Sequence, residues 1–355
     1  MPTILARQPR DLTVAWAQRV VARHHADIVV DKVEVVAVDV GTTTRVRVKV
    51  VHTDPQRLPE EWFVKLPSLA WQARLITALP RLLHTEVRFY NEVAQSVAVS
   101  MPPLLAAESR FGKGATLVLA DLSATGASLG QPRDALSFAQ AAEVVGQLAG
   151  FHARFWGSDT LYKHYGWLAG PVRRLEDFLG SALAVPLMKR GLSQAGALVP
   201  TSLHAGALHY ARQRKQAMRF LNAAPHTLVH HDCHPGNLFW HQSQPGFLDW
   251  QLIRLGEGIS DIAYLLATAL LPETRRAHEA ELLALYVDGL TGQGVKGLDA
   301  AALHQRYRAH LAYPFEAMVV TLAIGGMMNL DCNRELIRRT ALAVADHEAF
   351  SALPI

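Results

Sequence analysis

Cysteine is almost missing from this chain. Cys233 and Cys332 are the only two in 355 residues, and they lie in distant segments. That excludes a disulfide framework and suits a reducing compartment. Charge is also sparse, at 19% of the residues, with a formal net charge of +4. The isoelectric point near 9.1 is basic, yet no Lys/Arg run reaches the density of a nucleic-acid-binding arm or a membrane-surface tail. Long apolar runs are absent too. The most apolar stretch, Ala317 to Met328, is about a dozen residues against the ~20 that span a bilayer, and it reads as a buried core helix. The segment Met1 to Asp11 carries two prolines and no uninterrupted apolar core, so it does not read as a signal peptide. Neither an internal repeat nor a low-complexity tract occurs. The expectation is a cytoplasmic protein with no membrane span and no nucleic-acid partner.

What is present is a large apolar fraction, 50% of the residues, enough for a sizeable core in two lobes. Leu12 to His25 has helical spacing. Ile28 to Val40 is valine-rich, and Thr44 to Val51 alternates apolar and charged residues, as a half-buried strand does. The turn from Asp39 to Thr44 joins them as a hairpin. Trp62 to Leu66 reads as a third strand ended by Pro67, Leu82 to Val97 as a helix, and Thr116 to Leu119 as a further strand. Beyond Gly130 the pattern turns helical: Pro132 to Trp156, several stretches over 170–223, Asp261 to Leu271, Glu273 to Leu290, Ala300 to Leu311 and Phe315 to Ala349. One strand pair interrupts the run, Leu238 to His241 and Gly246 to Trp250. The fold class is α+β: a small antiparallel sheet with one main helix over 1–120, a linker over 121–131, and a large, mostly helical part over 132–355.

The chemistry concentrates in Leu228-Val229-His230-His231-Asp232-Cys233-His234-Pro235-Gly236-Asn237-Leu238-Phe239-Trp240. A hydrophobic strand enters a polar loop and another leaves it. Asn237 stands five residues after Asp232, and Asp249 twelve residues after Asn237, at the end of the returning strand. A hairpin between Asn237 and Asp249 is expected to bring two oxygen-bearing side chains together, as a hard cation such as Mg²⁺ requires. Asp232 is then placed to orient an attacking hydroxyl or accept its proton.

The pattern His-x-Asp-x-x-x-x-Asn followed by a metal-binding Asp resembles the core of protein-kinase-like phosphotransferases. The variant His230-His231-Asp232-Cys233-His234-Pro235-Gly236-Asn237 is similar to the aminoglycoside and choline kinase branch. Phe63-Val64-Lys65-Leu66-Pro67, Glu86-Val87-Arg88-Phe89-Tyr90, Phe151-His152-Ala153-Arg154-Phe155-Trp156 and Asp249-Trp250-Gln251 resemble its ecdysteroid-kinase-like subgroup. The resemblance covers about residues 40–270, with its motifs in family order. It implies a bilobal protein-kinase-like fold and ATP- and Mg²⁺-dependent transfer of a phosphoryl group to a small-molecule hydroxyl. By the same resemblance Lys65 holds the α/β-phosphates and is oriented by Glu86, Asp232 is the catalytic base, and Asn237 and Asp249 hold the metal. The hinge backbone over Val118, Leu119, Ala120 and Leu122 meets the adenine. Gly41, Thr42 and Thr43 belong to the hairpin loop that covers the phosphates. Two departures stand out: His231 replaces the usual glycine of this branch, and Gln251 occupies the place of the glycine in Asp-Phe-Gly, which argues against a flipping activation segment.

Each residue also has a plainer reading. Lys65 taken alone is an exposed edge-strand lysine, and Glu92 rivals Glu86. Gly41 taken alone is turn chemistry. His230 and His234 read as shaping the loop, His152 and Trp156 as packing residues, Asp261 as an N-cap that, by the resemblance, braces the catalytic loop through capping, and Gly325-Gly326 as a site of close helix packing. Three other functions compete: a nucleotide-binding pseudokinase, which should have lost Asp232, Asn237 or Asp249; a metal-dependent hydrolase built on His230, His231, Asp232, His234 and Asp249; and phosphate transfer to a protein, against which the missing activation-segment features argue. The span from Ser158 to His226 holds nine Lys/Arg against three acids. That argues against a polycationic acceptor and fits a lipophilic, sterol-like alcohol or an anionic hydroxyl compound.

Overall fold

A computed structural model describes residues 2–70, 82–223 and 225–355. The chain divides into two compact units, Met1–Leu129 with Leu248–Leu252, and Gly130–Phe247 with Ile253–Ile355.

The first unit is built on a five-stranded antiparallel sheet. Its strands are β1 (Val30–Val40), β2 (Thr43–His52), β3 (Glu61–Pro67), β4 (Leu104–Arg110) and β5 (Gly114–Ala120), in the order β1-β2-β3-β5-β4. The alternation in β2 does what its pattern dictates: Val46, Val48 and Val50 are buried while Arg45 and Lys49 face solvent. The valines join Trp62 and Val64 of β3 and the buried face of helix α1 (Val14–Val21), where Trp16 meets Trp62 edge-on at 6.0 Å. Thr13 caps α1 by accepting from the Trp16 amide at 3.2 Å. Helix α2 (Leu82–Glu92) ends before the expected Val97, and a 3-10 turn over Ala94–Ser96 follows. Strand β4 was not expected, because Leu104-Leu105-Ala106-Ala107 lacks the β-branched residues that mark strands. Pairing with β5, from Leu104 opposite Leu119 to Arg110 opposite Gly114, outweighs that weak propensity. A two-residue extended segment, Ser128–Leu129 (β6), closes this part of the chain.

In the second unit, α3 (Phe138–Phe155) starts six residues later than Pro132, because Ser137 and Gln140 form a reciprocal capping box there. Helices α4 (Asp159–Tyr165), α5 (Pro171–Ala195), α6 (Thr201–Arg212) and α7 (Arg214–Leu221) fill the next stretch. Strand β7 (Thr227–Val229) leads into the Asp232 loop, and β8 (Leu238–His241) and β9 (Gln244–Phe247) form the hairpin after it. The hairpin turn is the two residues Gln242 and Ser243, both at positive φ. Strand β10 (Arg254–Gly256) pairs with β7. Then come α8 (Ile259–Ala269), buried along its whole length, α9 (Pro272–Gly292), α10 (Ala300–His310), α11 (Ala312–Ile324) and α12 (Leu330–Asp346).

The single helix expected over Phe315 to Ala349 is thus two. Gly325 and Gly326 both take positive φ, and a Cβ on either would meet nothing within 4 Å. They form a turn and pack no helix closely. Close helix approach occurs instead at Gly191 on α5, where a Cβ would collide with the Val319 carbonyl of α11.

Candidate active site

Lys65 sits in β3, the middle strand of the sheet, opposite Arg45 of β2 and Leu117 of β5. It is therefore no edge residue, and it is only 5% exposed. Its ammonium donates to both oxygens of Glu86, at 2.8 and 2.9 Å, and lies 3.3 Å from Oδ1 of Asp249. Glu92, the rival on α2, is exposed and paired with Arg88 at 2.6 Å. The geometry thus separates the two glutamates. Burial by itself would pull the Lys65 ammonium down, but Asp249 and Glu86 together raise it above its ordinary value. Burial, opposed by Lys65 and reinforced by Asp249, raises Glu86. One cation between two carboxylates leaves the cluster one negative charge in excess.

Asp249 takes a left-handed backbone, φ 59, two residues beyond the end of β9 and not at the strand's end as its spacing suggested. Asp is among the few side chains that tolerate that region. The next residue, Trp250, stacks on Phe89 of α2 at 4.2 Å and 12° between planes. The apolar positions of Glu86-Val87-Arg88-Phe89-Tyr90 and of Asp249-Trp250-Gln251 thereby fix the two carboxylates on either side of Lys65.

The remaining expected nucleotide residues also lie in the first unit. The turn between β1 and β2 is Gly41 and Thr42 alone; Thr43 already belongs to β2 and is buried. The turn is tied down by the Gly41 amide donating to the Thr43 carbonyl at 3.0 Å and by Ser68 Oγ donating to the Gly41 carbonyl at 2.7 Å. Val118, Leu119 and Ala120 lie in β5 between β3 and β4, so the ladders take up their main chain. Asp121 and Leu122 are the first residues beyond it, with Asp121 capping the 3-10 turn Leu122–Thr125 through the Ser123 amide.

In the second unit the loop after β7 presents Asp232. Its Oδ1 accepts from the Tyr264 hydroxyl at 2.7 Å and its Oδ2 from the Asn237 amide nitrogen at 3.0 Å. The same nitrogen donates to the Asp232 carbonyl at 2.9 Å. With both donations made to Asp232, the Asn237 carbonyl oxygen is the end left to act as a ligand, a hard donor of the type Mg²⁺ takes. His231, preceding Asp232, is left-handed at φ 70. That strain is held by Asp261, whose two oxygens accept from the His230 and His231 amides, each at 2.7 Å.

Asp261 is therefore a brace for the loop rather than an N-cap; the N-cap of α8 is Gly258, with no side-chain cap. His152 backs it, with Nε2 at 3.2 Å from Asp261 and Nδ1 at 2.9 Å from the Tyr286 hydroxyl, so it is more than a packing residue. The other histidines turn to different partners. His231 stacks on Tyr313 at 4.1 Å, and His234 Nδ1 accepts from the Gly236 amide at 3.0 Å. Among the described residues no group of three or more His, Cys, Asp or Glu is arranged to hold a metal ion.

The sequence pattern that defines the phosphotransferase enzyme family matches residues 35–304. The chain belongs to that family. No curated protein matches this phosphotransferase in sequence. Among solved structures it is similar to the GDP complex of wild-type aminoglycoside 2'-phosphotransferase-IIIa, with 14% identity, TM-score 0.54, and coverage of 94% of this chain and 99% of that one. It is also similar to a Plasmodium vivax ethanolamine kinase, with 11% identity, TM-score 0.51, and coverage of 96% and 89%. A GDP and kanamycin complex of the same aminoglycoside phosphotransferase gives 15% identity and TM-score 0.51, with coverage of 96% and 99%. Identities this low speak to the fold alone, and the fold is the bilobal, protein-kinase-like α+β class. No described helix is long and apolar enough to cross a membrane.

Three residues that touch the Asp232 loop or its brace were missed from sequence: Tyr264 on Asp232, Tyr286 on His152 and Arg254 on His231. Tyr264 lies in a run of apolar residues, where a buried hydroxyl needing a partner was the one available signal. Tyr286 and Arg254 sit in segments with no motif at all.

Proposed function

We propose that this phosphotransferase is a small-molecule kinase that moves the γ-phosphoryl group of ATP, bound with Mg²⁺, onto an alcohol. The observation that carries the proposal is the buried Lys65 ammonium held by both oxygens of Glu86 with Asp249 as third partner. A buried ion cluster with excess charge contributes little to stability, because desolvation offsets most of the attraction. Its retention is better explained by a polyanionic ligand that Lys65 binds. The nucleotide complexes among the similar structures support the same ligand class.

In this reading Lys65 binds α/β-phosphate oxygens, Gly41 and Thr42 cover the phosphates with Thr43 anchoring their turn, and the adenine meets the chain past the end of β5, at Leu122. Mg²⁺, when bound, would offset the charge of the phosphates, and Asn237 Oδ1 and the Asp249 carboxylate would hold it. The acceptor oxygen bonds to the γ-phosphorus as the bridging P–O bond breaks and ADP leaves. Asp232 takes the hydroxyl proton, its carboxylate aimed by Tyr264 and Asn237. The ecdysteroid-kinase-like motifs support a lipophilic, sterol-like alcohol as acceptor.

The test is thermal unfolding with and without ATP and Mg²⁺, beside Asp249→Ala. Ligand at ~100 times its Kd stabilises the fold by about 2.7 kcal/mol. The expected result is a Mg²⁺-dependent rise in Tm, lost in Asp249→Ala and kept in Asp232→Asn, which loses phosphoryl transfer. No rise with any nucleotide would overturn the proposal.

A further inference from the structure

The second unit contains a cavity of about 490 Å³ whose walls come from α5, α7, β10 and the catalytic loop. His231, the residue before Asp232, is one wall, and Tyr313, stacked on His231, is another. The cavity therefore opens beside the proposed base, and its size suits a small organic ligand. Its charge is lopsided. Arg174, Lys215, Arg219 and Arg254 line it, against Asp177 and Glu257. Glu257 is engaged outside the lining, bonding through both oxygens to Arg306. Asp177 lies 3.4 Å from Arg254 and offsets part of that one charge. Among the described residues no carboxylate lies within ion-pair distance of Arg174, Lys215 or Arg219.

These three cations share helix faces with apolar lining residues. Arg174 and Phe178 are one turn apart on α5, and Lys215, Met218 and Arg219 lie on one face of α7. The charges thus turn toward the cavity, where like charges near low-dielectric walls concentrate the field. His231 and His310, also in the lining, are held below the usual imidazole range by burial, and neither brings negative charge to offset the cations. An ammonium-bearing acceptor would meet repulsion on this rim.

We propose that the acceptor is an anionic hydroxyl compound, its carboxylate or phosphate held by Arg254 with Arg174, Lys215 and Arg219, and its apolar body against Phe178 and Met218. This rests on the kinase reading and narrows its alcohol to one bearing a negative group. Arg254 is the inner contact: Nη1 lies 3.3 Å from His231 Nε2, which ties the anion site to the loop that carries Asp232.

The experiment uses the full chain and measures binding of hydroxydecanoate, its methyl ester and aminodecanol by titration calorimetry, with inorganic phosphate as competitor. Hydroxydecanoate should bind at least about tenfold more tightly than the ester, and aminodecanol most weakly. The gap should close in Arg254→Gln and narrow in Lys215→Ala/Arg219→Ala, whose side chains are exposed and whose fold is not at risk. Displacement by phosphate assigns the anion as a phosphate, and resistance to it as a carboxylate. Equal binding of acid and ester, tighter binding of the amine, no binding of the acid, or a gap unchanged in both variants would overturn the inference. The same samples receive ATP and Mg²⁺. A nucleotide-dependent rise in Tm without acid preference sinks this inference alone, whereas no rise sinks the kinase reading itself.

Discussion

Glu86 gives both of its carboxylate oxygens to Lys65 while being fully buried itself. Removing one member of such a pair strands the other without solvent, at a cost of about 3–5 kcal/mol. Lys65→Met should therefore lower the unfolding midpoint sharply and abolish turnover. Lys65→Met/Glu86→Leu should recover most of the stability and none of the activity. Recovery of turnover in the double variant would show that the pair serves the fold alone.

Asp261 accepts from two successive amides at 2.7 Å, and one of those residues is strained. In Asp261→Asn one oxygen becomes an NH₂ facing an N–H. Chemical denaturation should show a loss of about 2 kcal/mol or more. Steady-state kinetics should show a fall in kcat with nucleotide KM little changed.

Tyr264 donates to Asp232 Oδ1. Tyr264→Phe keeps the ring and removes the donor, so Asp232 gains rotational freedom. The expected outcome is about a tenfold drop in kcat, with the nucleotide-induced rise in Tm intact. A rise in nucleotide KM with unchanged kcat would contradict this role.

Burial, with Arg254 next, holds the His231 imidazole well below its usual value. The unfolded chain takes up this proton near pH ~6.5, whereas the folded chain resists it. The unfolded state then binds more protons, so His231 destabilises the fold progressively as pH falls below ~6.5 and has no such effect above it. His310 is shifted the same way. Thermal unfolding between about pH 7.5 and 5 should fall less steeply in His231→Asn, a residue that also tolerates the left-handed backbone. Parallel curves would exclude His231 as a contributor.

Gly191 has no room for a methyl group against the Val319 carbonyl. Gly191→Ala should cost about 1–3 kcal/mol by overpacking. The rise in Tm with ATP and Mg²⁺ should be retained, which calorimetric scans with and without ligand can check.

The legible parts of the sequence were those in which one side chain carries its own evidence. The alternation of Arg45-Val46-Arg47-Val48 placed β2, and the Asp232 to Asn237 spacing placed a loop whose two ends do meet. Asp249 was identified but misplaced, since a left-handed residue past a strand end leaves no trace in periodicity. Strand β4 was illegible because alanines form strands only under tertiary pressure. The brace from Asp261 through His152 to Tyr286 joins residues more than a hundred positions apart, and periodicity carries no such information. Asp261 does brace the loop as the resemblance implied, but by accepting from the His230 and His231 amides and not by capping its own helix.

The glycine turn between α11 and α12 has a practical corollary. Gly325, Gly326 and Met327 are exposed, and the two glycines have open space around them. Here the polypeptide is cheapest to cut or to lengthen. A protease site or a reporter sequence inserted at this point would divide the chain beyond the residues that define its family, which end at 304. Leu336, Ile337, Ala341 and Val344 of the final helix are fully buried and Arg339 holds the Asp134 and Thr268 carbonyls, so a cut here should leave that helix docked on the rest of the unit.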